Sequence, residues 1–158
     1  MATIATPTDQ LEPLRFFVGT WRCGGTMLAS EHGPEHTFEA TFEIEPILDG
    51  AWIAGRYREE TSAQHPVALV GWEVWGYDAA TESFVSRFFT NAGEAGTLTG
   101  SGWDNETWEW TGERLIGDTK IPFKAAFTRD GGDRFTLRPM LRPGDDLITV
   151  AELAFSRA

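Results

Sequence analysis

The stretch LRFFVGTWRCGG, Leu14 to Gly25, decides how this chain is to be read. An apolar, helix-like turn breaks at a glycine, and Trp21 then stands at the mouth of what should be a first β-strand. The turn is expected over Asp9 to Phe17, with Asp9 as N-cap and Gly19 ending it. Little in the remaining sequence is helical, so the role of Trp21 has to be found in a β-fold.

Outward from that stretch, β-branched and aromatic residues alternate between turn signals spaced about ten residues apart. These are Asp49-Gly50, Asp78-Ala79-Ala80-Thr81, Asp104-Asn105, Asp130-Gly131-Gly132-Asp133 and Pro143-Gly144. The spacing predicts about ten strands, near 20–28, 37–48, 51–60, 67–77, 83–90, 96–103, 106–115, 120–129, 134–141 and 147–156. A meander of this kind closes into a barrel or stacks as a sandwich. No repeat, linker or low-complexity segment interrupts it, so one β-domain over residues 1–158 is expected, with 1–8 as a flexible tail.

Composition narrows the function classes. Lys and Arg total 13 against 24 Asp and Glu, and a net charge of -11 repels nucleic acid and anionic lipid surfaces. One cysteine, Cys23, allows no internal disulfide, and neighbouring thiols are lacking for a metal cluster. No apolar run is long enough to span a membrane, and MATIATPTDQ lacks the basic and apolar regions of a signal peptide. A cytoplasmic protein is expected.

Turn geometry assigns faces. A two-residue turn at Asp49-Gly50 sets Glu45 across from Ala54, Glu43 from Arg56 and Thr41 from Arg58, with Phe38, Ala40, Phe42, Ile44, Ile53, Gly55 and Tyr57 on the inner face. Arg56 is then a surface charge paired with Glu43. Setting Tyr77 opposite Phe84 gathers Leu69, Gly71, Glu73, Trp75, Tyr77, Phe84, Ser86 and Phe88 on one face. The opposite face carries Val70, Trp72, Val74, Val85, Arg87 and Phe89, so both faces are largely apolar. A second apolar face needs a cover: the helical turn around Leu14 and Phe17, a ligand, or a second copy in a homodimer, which is the expectation taken here.

The Phe16–Trp21 pattern F-x-V-G-T-W, followed by Gly50-Ala51-Trp52-Ile53 and Gly76-Tyr77-Asp78, resembles bacterial lipocalin-like (calycin) domains of unknown function. More distantly the chain is similar to nitrobindin and to fatty-acid-binding-like barrels. The resemblance implies a closed antiparallel up-and-down barrel in which Trp21 seals one end under an arginine from the far end of the chain, here Arg157. Nitrobindin implies haem held by a late histidine; His32, His36 and His65 all fall in the first half, so no haem or other cofactor is expected. His32 and His36, with Glu31 and Glu35, read as an acidic loop and not as a metal site.

Catalytic signatures are missing: no G-x-S-x-G elbow, phosphate loop or H-E-x-x-H occurs. Cys23 shares the face of Trp21 and reads as a buried thiol. A turn at Asp104-Asn105 would set Ser101 opposite Trp108 and Thr99 opposite Trp110, leaving space beside two large rings. Either these aromatics fill the interior, or Trp75, Tyr77, Phe88, Trp108 and Trp110 line a cavity with Tyr57, Glu73, Ser86, Thr99 and Ser101 as polar handles. Two functions follow. One is a non-catalytic carrier or sensor of a small apolar or aromatic molecule, and the other is an isomerase, cyclase or decarboxylase in which an inward-facing Glu73 and Tyr57 move protons.

Overall fold

Ten strands close into a ring. The computed structural model describes residues 9–158, so the tail expected over residues 1–8 lies outside the described residues. Antiparallel neighbours run in chain order through β1 (Gly19–Met27), β2 (His36–Ile47), β3 (Trp52–Glu59), β4 (Val70–Asp78), β5 (Ser83–Thr90), β6 (Ala95–Gly100), β7 (Thr107–Ile116), β8 (Thr119–Asp130) and β9 (Arg134–Leu141). A two-residue strand, β10 (Ile148–Thr149), adds to β9. The last long strand, β11 (Ala151–Arg157), pairs with β9 and with β1 and completes the closure. The result is an up-and-down barrel, and full closure leaves no long unpaired edge among the described residues.

The alternation of the sequence becomes the inside and outside of this barrel. Phe38, Ala40, Phe42 and Ile44 of β2 are buried, while the polar residues between them face out. Thr41 pairs with Arg58, Glu43 with Arg56 and Glu45 with Ala54, and Arg56 donates to Glu43 at 2.9 Å on the exposed surface. Tyr77 stands opposite Phe84, which sets Glu73 inward.

The opening stretch closes one end. Glu12–Phe17 forms a 3-10 turn that drops Leu14 and Phe17 into the barrel. The Phe17 ring meets those of Phe127 and Phe135, each at 5.3 Å, and of Trp103 at 5.5 Å. Trp21 is fully buried, donates its indole N–H to the Phe17 carbonyl at 2.8 Å, and packs edge-on against Phe135 at 4.8 Å. The Arg157 guanidinium lies 4.2 Å above the Trp21 ring and donates to the carbonyls of Phe16, Val18 and Gly132. That cover explains Gly19: a Cβ there would sit 2.7 Å from an Arg157 nitrogen, and its φ of +134° suits glycine.

Two expectations and one alternative need correction. Asp9 does not cap the turn through its side chain; the N-cap position is Leu11, and Pro13 in the first turn supplies a preset φ without an N–H to satisfy. The turn does not cover the outer face of β4 and β5, because Leu14 and Phe17 are buried inside the barrel; Trp72 and Phe89 stay 41% and 56% exposed. The third concerns the hairpin joining β6 to β7. Its tight turn joins Asp104 to Thr107 through Asn105, at φ +54°, and Glu106, one residue later than expected. Between it and the Gly100–Trp110 pair lie three residues on one side (Ser101, Gly102, Trp103) and two on the other (Trp108, Glu109), a bulge. The net slip of one residue turns Thr99 and Ser101 outward, where both are exposed. Gly100 faces the rings instead, and a Cβ there would lie 2.5 Å from Trp108 Nε1.

Candidate functional site

The interior divides into a solid half and an open half. Trp103, Trp108, Phe84, Phe17, Phe127 and Phe135 fill the end closed by the opening turn, with Trp108 stacked on Trp110 at 5.2 Å. Toward the opposite mouth, the inward residues Tyr57, Glu73, Phe88, Arg114 and Leu141 all keep some solvent-accessible surface although they point into the ring. These inward-facing residues, none fully buried, line the unsealed mouth of the ring.

Glu73 sits partway down this open half. On β4 it lies between Gly55 of β3 and Phe88 of β5, and its Oε1 accepts the hydroxyl proton of the fully buried Ser86 at 2.7 Å. The carboxyl is closely surrounded by protein, and burial pushes its pKa up to about 7, opposed by hydrogen bonds from Ser86 and Trp75. A carboxyl poised there can hold or release a proton near neutrality. The Trp110 indole N–H is buried without a partner among the described residues.

At the rim, Arg114 points inward from β7, over the rings of Phe88 at 5.7 Å and Phe123 at 5.4 Å, and pairs with Glu94. Across the mouth runs a chain of polar groups. Tyr57 donates its hydroxyl to Glu59 Oε2 at 2.9 Å, Glu59 Oε1 meets His65 Nε2 at 2.9 Å and takes the Leu69 N–H at 2.9 Å, and His65 Nδ1 meets His36 Nε2 at 2.9 Å. Glu59 and His65 are each only 6% exposed. Burial raises the Tyr57 pKa far above the ordinary tyrosine range, with the Glu59 charge adding to it, so Tyr57 stays a phenol. Burial likewise pushes the Cys23 thiol up to about 12, which makes it a poor nucleophile.

Of the residues singled out in the sequence, the structure brings Tyr57, Glu73, Ser86 and Phe88 together around the open half, with Trp75 and Trp110 beneath them. Tyr77 and Trp108 belong to the closed half, with Tyr77 against Phe84 at 5.2 Å and Trp108 against Phe84 at 4.7 Å. Thr99 and Ser101 are outside. Sequence reasoning missed Glu59, His65 and Arg114. Alternation did carry a signal for Glu59, two residues beyond Tyr57 on the same face. None placed His65, which comes from the connection between β3 and β4 and meets a histidine 29 residues away. A surface concavity of about 660 Å³ beside Gly131, Asp133, Arg134 and Arg157 lies behind the sealed end and shares none of this chemistry.

A family model described as "Protein of unknown function (DUF1579)" matches residues 6–125. The chain belongs to this family. No curated protein matches it. The crystal structure of Rv2717c from M. tuberculosis is similar over 99% of both chains, with a TM-score of 0.69 and 11% sequence identity, a likeness of fold alone. The match to DUF1579 spans β1 to β7 and half of β8, and therefore every residue of the open half named above except Leu141. Arg157, the cover of Trp21, lies beyond it. No helix among the described residues is long and apolar enough to cross a membrane.

Proposed function

We propose that this DUF1579 barrel binds a small, largely apolar or aromatic molecule carrying one polar group, held in the open half with that group at Glu73. The observation that carries the reading is Glu73 itself: a carboxyl on the inner wall, hydrogen-bonded to a fully buried serine, in space that reaches solvent. A chain that needed only a solid core would place an apolar side chain there, because an unpaired buried carboxyl costs stability. Phe88, Phe123 and Trp75 supply apolar walls, and ligand surface removed from water against them contributes about 25 cal/mol per Å². The polar group would be oriented by Glu73, while the Tyr57 oxygen, its proton committed to Glu59, offers an acceptor. The resemblance to lipocalin-like carriers is part of the same reading, as are a location in the cytoplasm and a homodimer joined through the apolar outer face of Trp72 and Phe89.

One observation favours a second reading. A Glu73 pKa of about 7 suits a general acid or base, so proton transfer on the bound molecule, as in an isomerase, cyclase or decarboxylase, is the alternative. Native mass spectrometry of the purified protein tests the binding reading. A retained small molecule, lost or weakened in Glu73→Gln, supports it. A chain that flies bare and shows no saturable uptake from a panel of apolar fluorescent probes refutes it.

A further inference from the structure

The polar chain at the mouth contains two imidazoles whose outer nitrogens are both committed. His36 Nδ1 lies 3.1 Å from the Pro34 carbonyl, which can only accept, so a hydrogen bond there places the ring proton on Nδ1 and leaves Nε2 free to coordinate. His65 Nε2 lies 2.9 Å from Glu59 Oε1, an acceptor fixed by the Leu69 N–H, with Tyr57 on the other carboxylate oxygen. The remaining nitrogens, His36 Nε2 and His65 Nδ1, face each other at 2.9 Å. An imidazole bound to a metal through one nitrogen characteristically donates from the other to a carboxylate or a backbone carbonyl, which fixes its tautomer and strengthens the ligand. Here one ring has the carboxylate and the other the carbonyl.

We propose that His36 and His65 form a two-imidazole site for a divalent transition ion of the zinc type, open to solvent at the barrel mouth. Tetrahedral ligands at about 2.0–2.1 Å stand about 3.3 Å apart, so coordination separates the facing nitrogens by about 0.4 Å from 2.9 Å and turns the rings, chiefly the less buried His36, until both lone pairs converge on the ion. Both rings coordinate as neutral imidazoles through these facing nitrogens, and any proton held between them leaves to solvent. His65 is held in place for coordination, being buried, stacked on Phe38 at 4.9 Å and anchored by Glu59.

Among the described residues no third His, Cys, Asp or Glu converges on the pair, so the other coordination positions fall to water or to a bound molecule. The two rings border a concavity of about 430 Å³ whose walls also include His32 and Glu35. The net charge of -11 favours cation uptake in general. With two protein ligands, one fewer than a typical catalytic zinc site, two positions remain for water or for a bound molecule. Glu73 takes no part in this site, which therefore stands or falls separately from binding in the barrel interior.

Calorimetric titration of the full-length protein with Zn2+ tests the site, with His36→Ala as the variant. One ion per chain is expected, with at least a tenfold loss of affinity in the variant. Absence of stoichiometric binding, or binding that His36→Ala leaves unchanged, overturns the proposal. Should the variant fail to fold, long-range 1H–15N spectra of wild-type histidine rings decide. Zn2+ must then move the His36 Nε2 and His65 Nδ1 resonances to metal-bound positions, and a spectrum in which it moves only His32, or none, refutes the site.

Discussion

Replacing Glu73 by Gln should remove most of one pH dependence of stability without emptying the site of its hydrogen bond. Folded, Glu73 holds its proton up to about pH 7; unfolded, it releases it near the ordinary 4.5. Between those values the native state binds the extra proton, so the free energy of unfolding falls as pH rises across this window. The contribution is fully present below about 4.5 and lost above about 7. At about 1.4 kcal/mol per pH unit the whole gap is worth about 3.5 kcal/mol, and water reaching the mouth trims this to about 2–3 kcal/mol. Gln keeps an oxygen to accept from Ser86 and has no proton to lose. Every other titrating group is common to both proteins, so urea unfolding of wild type and Glu73→Gln at pH 4.5 and pH 8 isolates the effect. The variant should gain about 2–3 kcal/mol relative to wild type between the acid and the alkaline measurement. A difference that changes by less than about 0.5 kcal/mol would refute the placement of a desolvated carboxyl on the inner wall of the barrel.

Other outcomes follow from the same geometry. Arg157→Ala removes the cover of Trp21 and three hydrogen bonds to backbone carbonyls, and should cost about 2–4 kcal/mol in denaturant unfolding. Gly100→Ser forces a Cβ against Trp108 and should cost about 1–3 kcal/mol, whereas Ser101→Ala on the outside should stay within about 0.5 kcal/mol. If the outer face of β4 and β5 joins two copies, the double variant Trp72→Ser and Phe89→Ser should sediment as a monomer where the wild type does not, and a wild type already monomeric removes the dimer.

How much of this was legible in the sequence depended on turns. Where the turn gave a definite register, at Asp49-Gly50 and between Tyr77 and Phe84, cross-strand partners came out residue for residue and with them the inward direction of Tyr57, whereas two nearly equally apolar faces of β4 left the direction of Glu73 open. At Asp104 the same reasoning failed, because a bulge is invisible to alternation and a slip of one residue reverses every side chain beyond it. That error put Thr99 and Ser101 inside and hid Gly100, whose missing side chain makes room for Trp108. The seal of Trp21 by Arg157 joins the two ends of the chain and was reached through the likeness to known barrels. The polar chain at the mouth was beyond reach, since its members come from β2, β3 and a connecting loop and share no motif.

Whether the open half of the barrel receives a small aromatic molecule with one polar group at Glu73 is tested most directly by anomalous diffraction from crystals soaked in an iodinated phenol. The iodine position is then read without assuming a pose. A peak is expected inside the ring beside Phe88, with the phenol oxygen within hydrogen-bond distance of Glu73. Iodine found only on the outer surface, at Trp72 and Phe89, with no peak inside the barrel, would contradict binding in the open half.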